Sequence, residues 1–451
     1  MTRRTLLLVS PPVLFGQGWW KDRFGNRPHI ASLAGYVRDL AEVRTLALDD
    51  VAGAPLEPLL AEVEAALTPD VALVGLSCWT SLHYLGARAV AERVRALAPD
   101  VPIVIGGHHA TALPDDFDAT VCDWVVRGDG ERPLRALCEA WPRRPEVMGV
   151  LDGGVFDQDD PAHIDWDRYG EGTRDGALWI GASRGCAFKC RFCVEPSRGA
   201  AYSRYDVDVQ LDLIERLVAR RAPRVVCFSD PLFGANRRWL EALLDGLARR
   251  ELPVMFWAET RLDLMAPALL ERFLAARFMV DFGLDTASAT MIGHMQKAAR
   301  ADHYLARARE ALMHANRIGL PHGVYLVFNF PGETPDTTRE TEDFVDSLDD
   351  FVGPMSGLLS AATFFLVPGT DSERRLAEHA ATHGTLVRRP GWWRQPHHHH
   401  SLATDVLPSR AWLGREHELG AFRGWNALVQ ARWSAAWTPE VRRFREVFYR
   451  A

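Results

Sequence analysis

The sequence is short of lysine: only Lys21, Lys189 and Lys297 stand among its 52 basic residues, so positive charge rests almost wholly on arginine. Nor does positive charge dominate, because 59 acidic residues leave a net charge of −7. A protein built to grip nucleic acid or an anionic membrane is expected to be basic, so neither is an expected partner. Cysteine is sparse as well, seven in 451 residues and odd in number. That count does not suit a disulfide framework and fits a reducing compartment, the cytoplasm. No apolar run approaches the ~20 residues that cross a bilayer. The opening Met1-Thr2-Arg3-Arg4 and its apolar continuation loosely mimic an export leader. Pro11-Pro12 breaks that run, however, and no small-residue cleavage site follows, so a first buried strand is expected. The rest is ordinary for a folded chain: 47% of residues are hydrophobic and 25% charged, at a length for two or three domains of ~150 residues.

The pattern along the chain indicates an α/β fold in two units. Over 1–140, apolar runs at Thr5–Ser10, Val43–Leu48, Val71–Ser77, Pro102–Gly106 and Asp123–Arg127 alternate with helical stretches. Runs such as VALVGLS, without polar alternation, belong to strands covered on both faces, hence to a doubly wound, Rossmann-like parallel sheet. Such sheets bind ligands outside the carboxyl ends of their strands. Those ends read SPP, GLSCWTS, GGHHATALP and RGDGE, rich in glycine and hydroxyl residues. Residues 141–175 are Pro-, Gly- and Asp-rich and read as a linker. A second alternation over 176–369 predicts strands at Leu178–Ser183, Arg224–Asp230, Val254–Thr260, Phe278–Asp285, Gly323–Phe330 and Thr363–Val367. Six such units suggest a partial (β/α)6 barrel of the TIM type, open on one side. Residues 370–451 form a small Trp-rich C-terminal cap.

Three of the seven cysteines fall within eight residues. Cys186, Cys190 and Cys193 form C-x3-C-x2-C in a loop directly after the first barrel strand. Thiolates are soft ligands for iron–sulfur clusters and zinc. Three on one loop fit three corners of a 4Fe–4S cubane and leave one iron open. The alternatives are a structural zinc site, which needs a fourth ligand such as Cys227, or three packing cysteines.

With its barrel context, this loop resembles that of the radical S-adenosylmethionine (SAM) enzymes, and the resemblance spans about 176–369. It implies that the amino and carboxylate groups of SAM chelate the open iron, and that reduction of the cluster by an external flavodoxin- or ferredoxin-type donor generates a 5′-deoxyadenosyl radical. Phe192 matches the family's aromatic residue near the adenine. Ser229-Asp230 ends the second barrel strand, where Asp230 would accept from the methionine ammonium. Glu259 and Arg261 follow on the third, Arg261 toward the methionine carboxylate and Glu259 toward a substrate or ribose hydroxyl, or else as a structural Glu–Arg pair. Asp285 stands where the family has Glu, and Asn329 precedes a P-G-E-T turn in which Glu333 is expected to cap the next helix.

The first unit resembles the cobalamin-binding domain that precedes many radical SAM enzymes. The resemblance rests on Ser77, Trp79 and Thr80 after the third strand; on Gly106, Gly107, His109 and Thr111 after the fourth; and on Gly128 and Glu131 after the fifth. Gly106 and Gly107 would let the backbone approach a large planar ligand, and the hydroxyls would meet its polar groups. The D-x-H-x-x-G segment that supplies an axial histidine in many cobalamin proteins is missing, since Ser10–Trp20 contains no His. Cofactors implied together are a 4Fe–4S cluster, SAM and cobalamin. The implied activity is methyl transfer from methylcobalamin to an unactivated carbon, less often phosphorus, of a small molecule or peptide. Cyclisation or ring rearrangement without net methylation, and a non-catalytic cobalamin or redox sensor, are the alternatives. His397–His400 reads as a solvated tract with incidental metal affinity. Trp392, Trp393, Trp412, Trp425, Trp433 and Trp437 either line a substrate pocket or form the core of the cap.

Overall fold

A computed structural model describes residues 4–14, 28–48, 56–156, 164, 176–198, 202–352, 355–395 and 405–448. His397–His400, the Phe15–Trp20 part of the first loop and most of 157–175 lie outside the described residues.

Six parallel strands make the first sheet: β1 (Thr5–Ser10), β2 (Glu42–Ala47), β3 (Val71–Ser77), β4 (Ile103–Gly106), β5 (Trp124–Gly128) and β6 (Gly149–Gly154). Their order, β2-β1-β3-β4-β5-β6, reverses between β1 and β3 and creates a crevice at the strand ends. Helices cover both faces, with Leu6, Leu8 and Val126 buried on one side and Leu7, Val9 and Val74 on the other. The sixth strand corrects the linker expectation, because Gly149–Gly154 pairs with β5 from Trp124↔Gly149 onward. Half of GVLDGG is glycine, and as a partly exposed edge it lacks the apolar run that marked the inner strands.

The barrel sheet runs β7 (Ala177–Ile180), β8 (Val225–Phe228), β9 (Met255–Arg261), β10 (Phe278–Asp285), β11 (His322–Phe328) and β12 (Leu358–Thr363), each paired in parallel with the next. β12 lies upstream of the expected Thr363–Val367. Its small residues LLSAAT carry less apolar signal than the FFLV that follows, whose Phe364 and Leu366 are buried in loop packing. Side chains alternate across the sheet. Phe256 and Phe278 pack outward against the helices, where Phe273 meets Phe278, while Trp179, Cys227, Trp257 and Met279 fill the concave face.

The C-terminal residues close this sheet. Helix Phe422–Ser434 lies along β12, where Gln430 Oε1 accepts from the Leu359 amide at 2.6 Å. Trp437 and Val441 pack with Ala177, Val225 and Met255, the first residues of three strands, and so plug the amino-terminal end of the barrel. The six tryptophans take the packing role. Each donates its indole N–H to the protein: Trp392 to Leu366 O, Trp393 to Asp116, Trp412 to Glu333 O, Trp425 to Asp346, Trp433 to Asp349 and Trp437 to Gly357 O. None of them lines the main cavity.

Candidate functional site

With one end plugged, the barrel opens at its carboxyl end, toward the strand ends of the first sheet. A cavity of about 400 Å³ lies between the two. From the first domain, Ser77, Trp79, Gly106, Gly107, Thr111, Gly128 and Glu131 line it. Gly107 holds φ +114°, and a Cβ there would lie 2.3 Å from the Cys78 carbonyl oxygen. Only glycine fits that turn. Gly106 differs: an added Cβ would meet only Val126, at an ordinary 3.6 Å. Protein packing does not demand glycine there, so the bare backbone facing the cavity suits a ligand that comes close.

Thr80 and His109 do not reach the cavity. Thr80 caps a short 3-10 turn, accepting from the Leu82 amide at 3.3 Å. His109 is 1% exposed, with Nδ1 2.8 Å from Ser81 Oγ and Nε2 3.3 Å from Asp116 Oδ2. The reason is helical: His108–Ala112 is a helix, so adjacent side chains point different ways, and His108 takes the cavity side. Burial would raise the Asp116 carboxyl, but donors His109, Arg394 and Trp393 together hold it down to about 2. Asp116 is thus a tie between the first domain and the C-terminal residues.

Sequence reasoning missed His29 and His108. His29 stacks on Trp79 with ring centroids 4.4 Å apart, and its Nε2 lies 3.1 Å from Ser77 Oγ. The signal was a histidine in the first turn of the helix Pro28–Val37, beyond the stretch searched for an axial ligand. His108 meets Trp79 edge-on, and its Nε2 is 3.8 Å from Glu195 Oε1, two residues past Cys193.

From the barrel, Gly181, Ser183, Arg184, Ser229, Asp230 and Glu259 line the cavity. Asp230 accepts from the Ala182 amide at 3.1 Å and from Ser183 Oγ, yet burial pushes its carboxyl up to about 7. Glu259 is exposed on the cavity side of its strand. Desolvation, with Asp281 and Asp285 nearby, pushes it up to about 7 as well.

Phe192, Arg261, Asp285 and Asn329 are absent from the cavity wall. Phe192 packs with Met291, Met295 and Phe330. Arg261 is held by Asp263 at 2.9 and 3.0 Å and by the Lys297 carbonyl at 2.7 Å, so its fork is engaged inside the protein rather than turned to the cavity. Its partner is Asp263, in the turn just beyond β9, and not Glu259. Asp285 pairs with Lys297, and Asn329 donates to Thr363 Oγ1 at 2.9 Å and Leu419 O at 3.1 Å. Both hold left-handed φ, 62° and 65°, which re-aims the chain at the strand ends. Glu333 is no helix cap: its carboxylate accepts from the Asn329 amide, and the Thr334 and Thr337 hydroxyls satisfy the helix start instead.

The cysteine loop fits a soft-metal cluster. Cys186, Cys190 and Cys193 are free thiols, and burial raises all three, Cys193 to about 12. Buried thiolates need nearby positive charge. Arg261 Nη1 lies 3.5 Å from Cys190 Sγ, while the Arg261 guanidinium stacks 3.8 Å above the Phe188 ring, and Lys297 pulls on Cys186 and Cys190. Cys227 sits within β8, wholly buried among Trp179, Trp257 and Met279, as an inner-face packing residue rather than a fourth ligand. Among the described residues no three His, Cys, Asp or Glu side chains converge on a single ion.

Family models match both halves of the chain, a B12 binding domain at residues 28–138 and the radical SAM superfamily at 180–345. The chain carries a B12-binding domain followed by a radical SAM domain. Its cofactors are accordingly a 4Fe–4S cluster, SAM and cobalamin. It is 24% identical over 372 residues to an uncharacterised methyltransferase of Pyrococcus horikoshii, covering 76% of this chain and 78% of that protein. It is also 24% identical to the anaerobic magnesium-protoporphyrin IX monomethyl ester cyclase of Rubrivivax gelatinosus, over 70% of this chain and 61% of the cyclase. Among solved structures, the radical SAM methyltransferase TsrM of Kitasatospora setae, with cobalamin and a [4Fe-4S] cluster bound, superposes with a TM-score of 0.64. Identity there is 21%, and the match covers 84% of this chain and 79% of TsrM, a likeness of fold. Among the described residues, no helix is long and apolar enough to cross a membrane.

Proposed function

We propose that this enzyme is a methyltransferase that moves a methyl group to an unactivated carbon of a small molecule, with SAM as both methyl and radical source. One observation carries the reading: a single cavity is walled on one side by Trp79, Gly106 and Gly107 and on the other by Ser183, Asp230 and Glu259. When bound, the cluster, SAM and cobalamin supply homolytic cleavage and methyl donation, the hard chemistry that side chains cannot perform. The protein's own residues position and shield. Gly106 and Gly107 give backbone access to the corrin, and Asp230 accepts from the ammonium of SAM. Arg261 and Lys297 offset the negative charge of the cysteine loop. Trp437 and Val441 close the far end of the barrel against water. The domains meet through Arg184, whose guanidinium donates to Glu131 at 2.8 Å and Ser32 at 2.9 Å just ahead of Cys186. A flavodoxin- or ferredoxin-type electron donor, a cytoplasmic location and the absence of a nucleic-acid or membrane partner complete the proposal.

The similarity to the cyclase favours a second reading, radical rearrangement without net methylation. Anaerobic turnover of the reconstituted enzyme with candidate metabolites separates the two by product mass. Methyl transfer predicts a product one methyl heavier, with one S-adenosylhomocysteine and one 5′-deoxyadenosine formed per turnover. Deoxyadenosine with an unmethylated, altered product replaces the proposal by the second reading. Absence of deoxyadenosine on reduction overturns both.

A further inference from the structure

The barrel interior holds two carboxyl groups that have no basic partner among the described residues. Glu259 on β9 and Asp281 on β10 are register partners on adjacent strands, both on the concave face. Asp281 is 1% exposed, and Trp257 Nε1 and Tyr325 Oη both donate to its Oδ2, at 2.9 and 2.7 Å. Its Oδ1 has no hydrogen-bond partner among the described residues. Room for that oxygen comes from Gly323 on β11, where a Cβ would lie only 2.2 Å away. Glu259 points into the cavity and makes no side-chain hydrogen bond or ion pair with any described residue.

Among the described residues, the arginines and lysine nearby are engaged elsewhere. Arg261 is held by Asp263 and the Lys297 carbonyl, Lys297 by Asp285, and Arg184 by Glu131. The charges that act on Glu259 are those of Asp281 and Asp285, both acidic, and they add to the desolvation that raises its carboxyl. Asp230, assigned above to the SAM ammonium, lies on a different strand end and leaves this pair unanswered. Glu259 is open to the cavity while Asp281 behind it is buried, so a cation that enters the cavity meets a carboxylate with no basic side chain of its own and can form a charge-assisted hydrogen bond with it.

We infer that Glu259, backed by Asp281, anchors the substrate, and that the substrate carries a basic nitrogen, a protonated amine or amidine, directed at the Glu259 carboxylate. This rests on the methyltransferase reading for the identity of the site as the substrate's, but its test is binding rather than turnover. The cation holds the substrate at the inner end of the cavity, with the atom to be modified toward the cysteine loop and the first domain.

The experiment uses the full chain reconstituted with cluster, cobalamin and SAM. Phenethylammonium and benzamidinium are titrated against neutral 2-phenylethanol and anionic 3-phenylpropionate by calorimetry. The cations are expected to bind about tenfold or more tightly than the neutral and anionic probes, the scale of a charged hydrogen bond. Glu259→Gln should erase the preference and Asp281→Asn weaken it, in preparations whose iron content and cobalamin absorbance match the wild type. Equal binding of 2-phenylethanol or 3-phenylpropionate, failure of both cations to bind, or a preference that survives Glu259→Gln would each overturn the inference. The wild-type probe series decides the matter even if a variant fails to fold. Methylation of a substrate that lacks a basic nitrogen would remove this inference and leave the methyltransferase reading standing; cation-selective binding with no methylated product would do the reverse.

Discussion

Replacing Arg184 by leucine tests how the two domains are joined. Its guanidinium reaches from the loop after β7 to Glu131 and Ser32 of the first domain, and Ser32 Oγ also donates to Glu131 at 2.7 Å. The Glu131 side chain is only 6% exposed and that of Arg184 22%. Removing one member of a buried ion pair typically costs about 3–5 kcal/mol, because the partner's charge is stranded. Glu131 would keep the Ser32 hydroxyl and Arg184 retains some contact with water, so the lower end applies, about 3 kcal/mol. That corresponds to a more than hundredfold shift in the equilibrium at ~1.4 kcal/mol per decade. The assay is urea unfolding of the cofactor-free protein, followed by tryptophan fluorescence, for Arg184→Leu, Glu131→Leu and the double variant. The double variant should regain much of the loss, because it removes both charges together. A loss below about 1 kcal/mol for Arg184→Leu, or simple additivity in the double variant, would refute the buried joint.

Two further perturbations follow from the site. Gly107→Ala forces a Cβ against the Cys78 carbonyl in a backbone conformation almost restricted to glycine; a destabilisation of about 3 kcal/mol and loss of the cobalamin absorbance titration are expected. Glu333 is raised by burial from 4.5 to about 8, so the folded protein binds its proton more tightly than the unfolded chain. Its contribution is therefore full below about pH 4.5 and is lost as the pH rises through about 8. Glu333→Gln keeps the acceptor for the Asn329 amide without the charge, so urea midpoints should favour the variant increasingly from pH 5 to pH 8; parallel pH profiles for the two proteins would contradict the assignment.

What could be read from the sequence divides along physical lines. Strands buried on both faces, such as β1 and β3, announced themselves as continuous apolar runs and were placed to within a residue. Two of the four edge strands of the six-stranded sheets were not legible: β6 is half glycine, and β12 is built from small residues beside a more apolar loop. Motif glycines and the cysteine loop were legible because their spacing carries the chemistry. Direction was not: His108 and His109 are adjacent, and only the helix phase decides which one faces the cavity. Arg261 and Asn329 have the right chemistry for a ligand, but their donors are satisfied by Asp263, Thr363 and Leu419, partners that only the folded chain brings near. The tryptophans show the same limit, since an indole that lines a pocket and one that staples a cap have the same composition.

The central claim is that the three-cysteine loop holds a cluster with one iron open to SAM. Electron paramagnetic resonance of the anaerobically reconstituted, reduced enzyme, recorded with and without SAM, tests it most directly. The account predicts a 4Fe–4S signal that changes when SAM is added and that Cys186→Ala eliminates while cobalamin is still taken up. A signal indifferent to SAM, or a loop that retains zinc in place of iron, would contradict it.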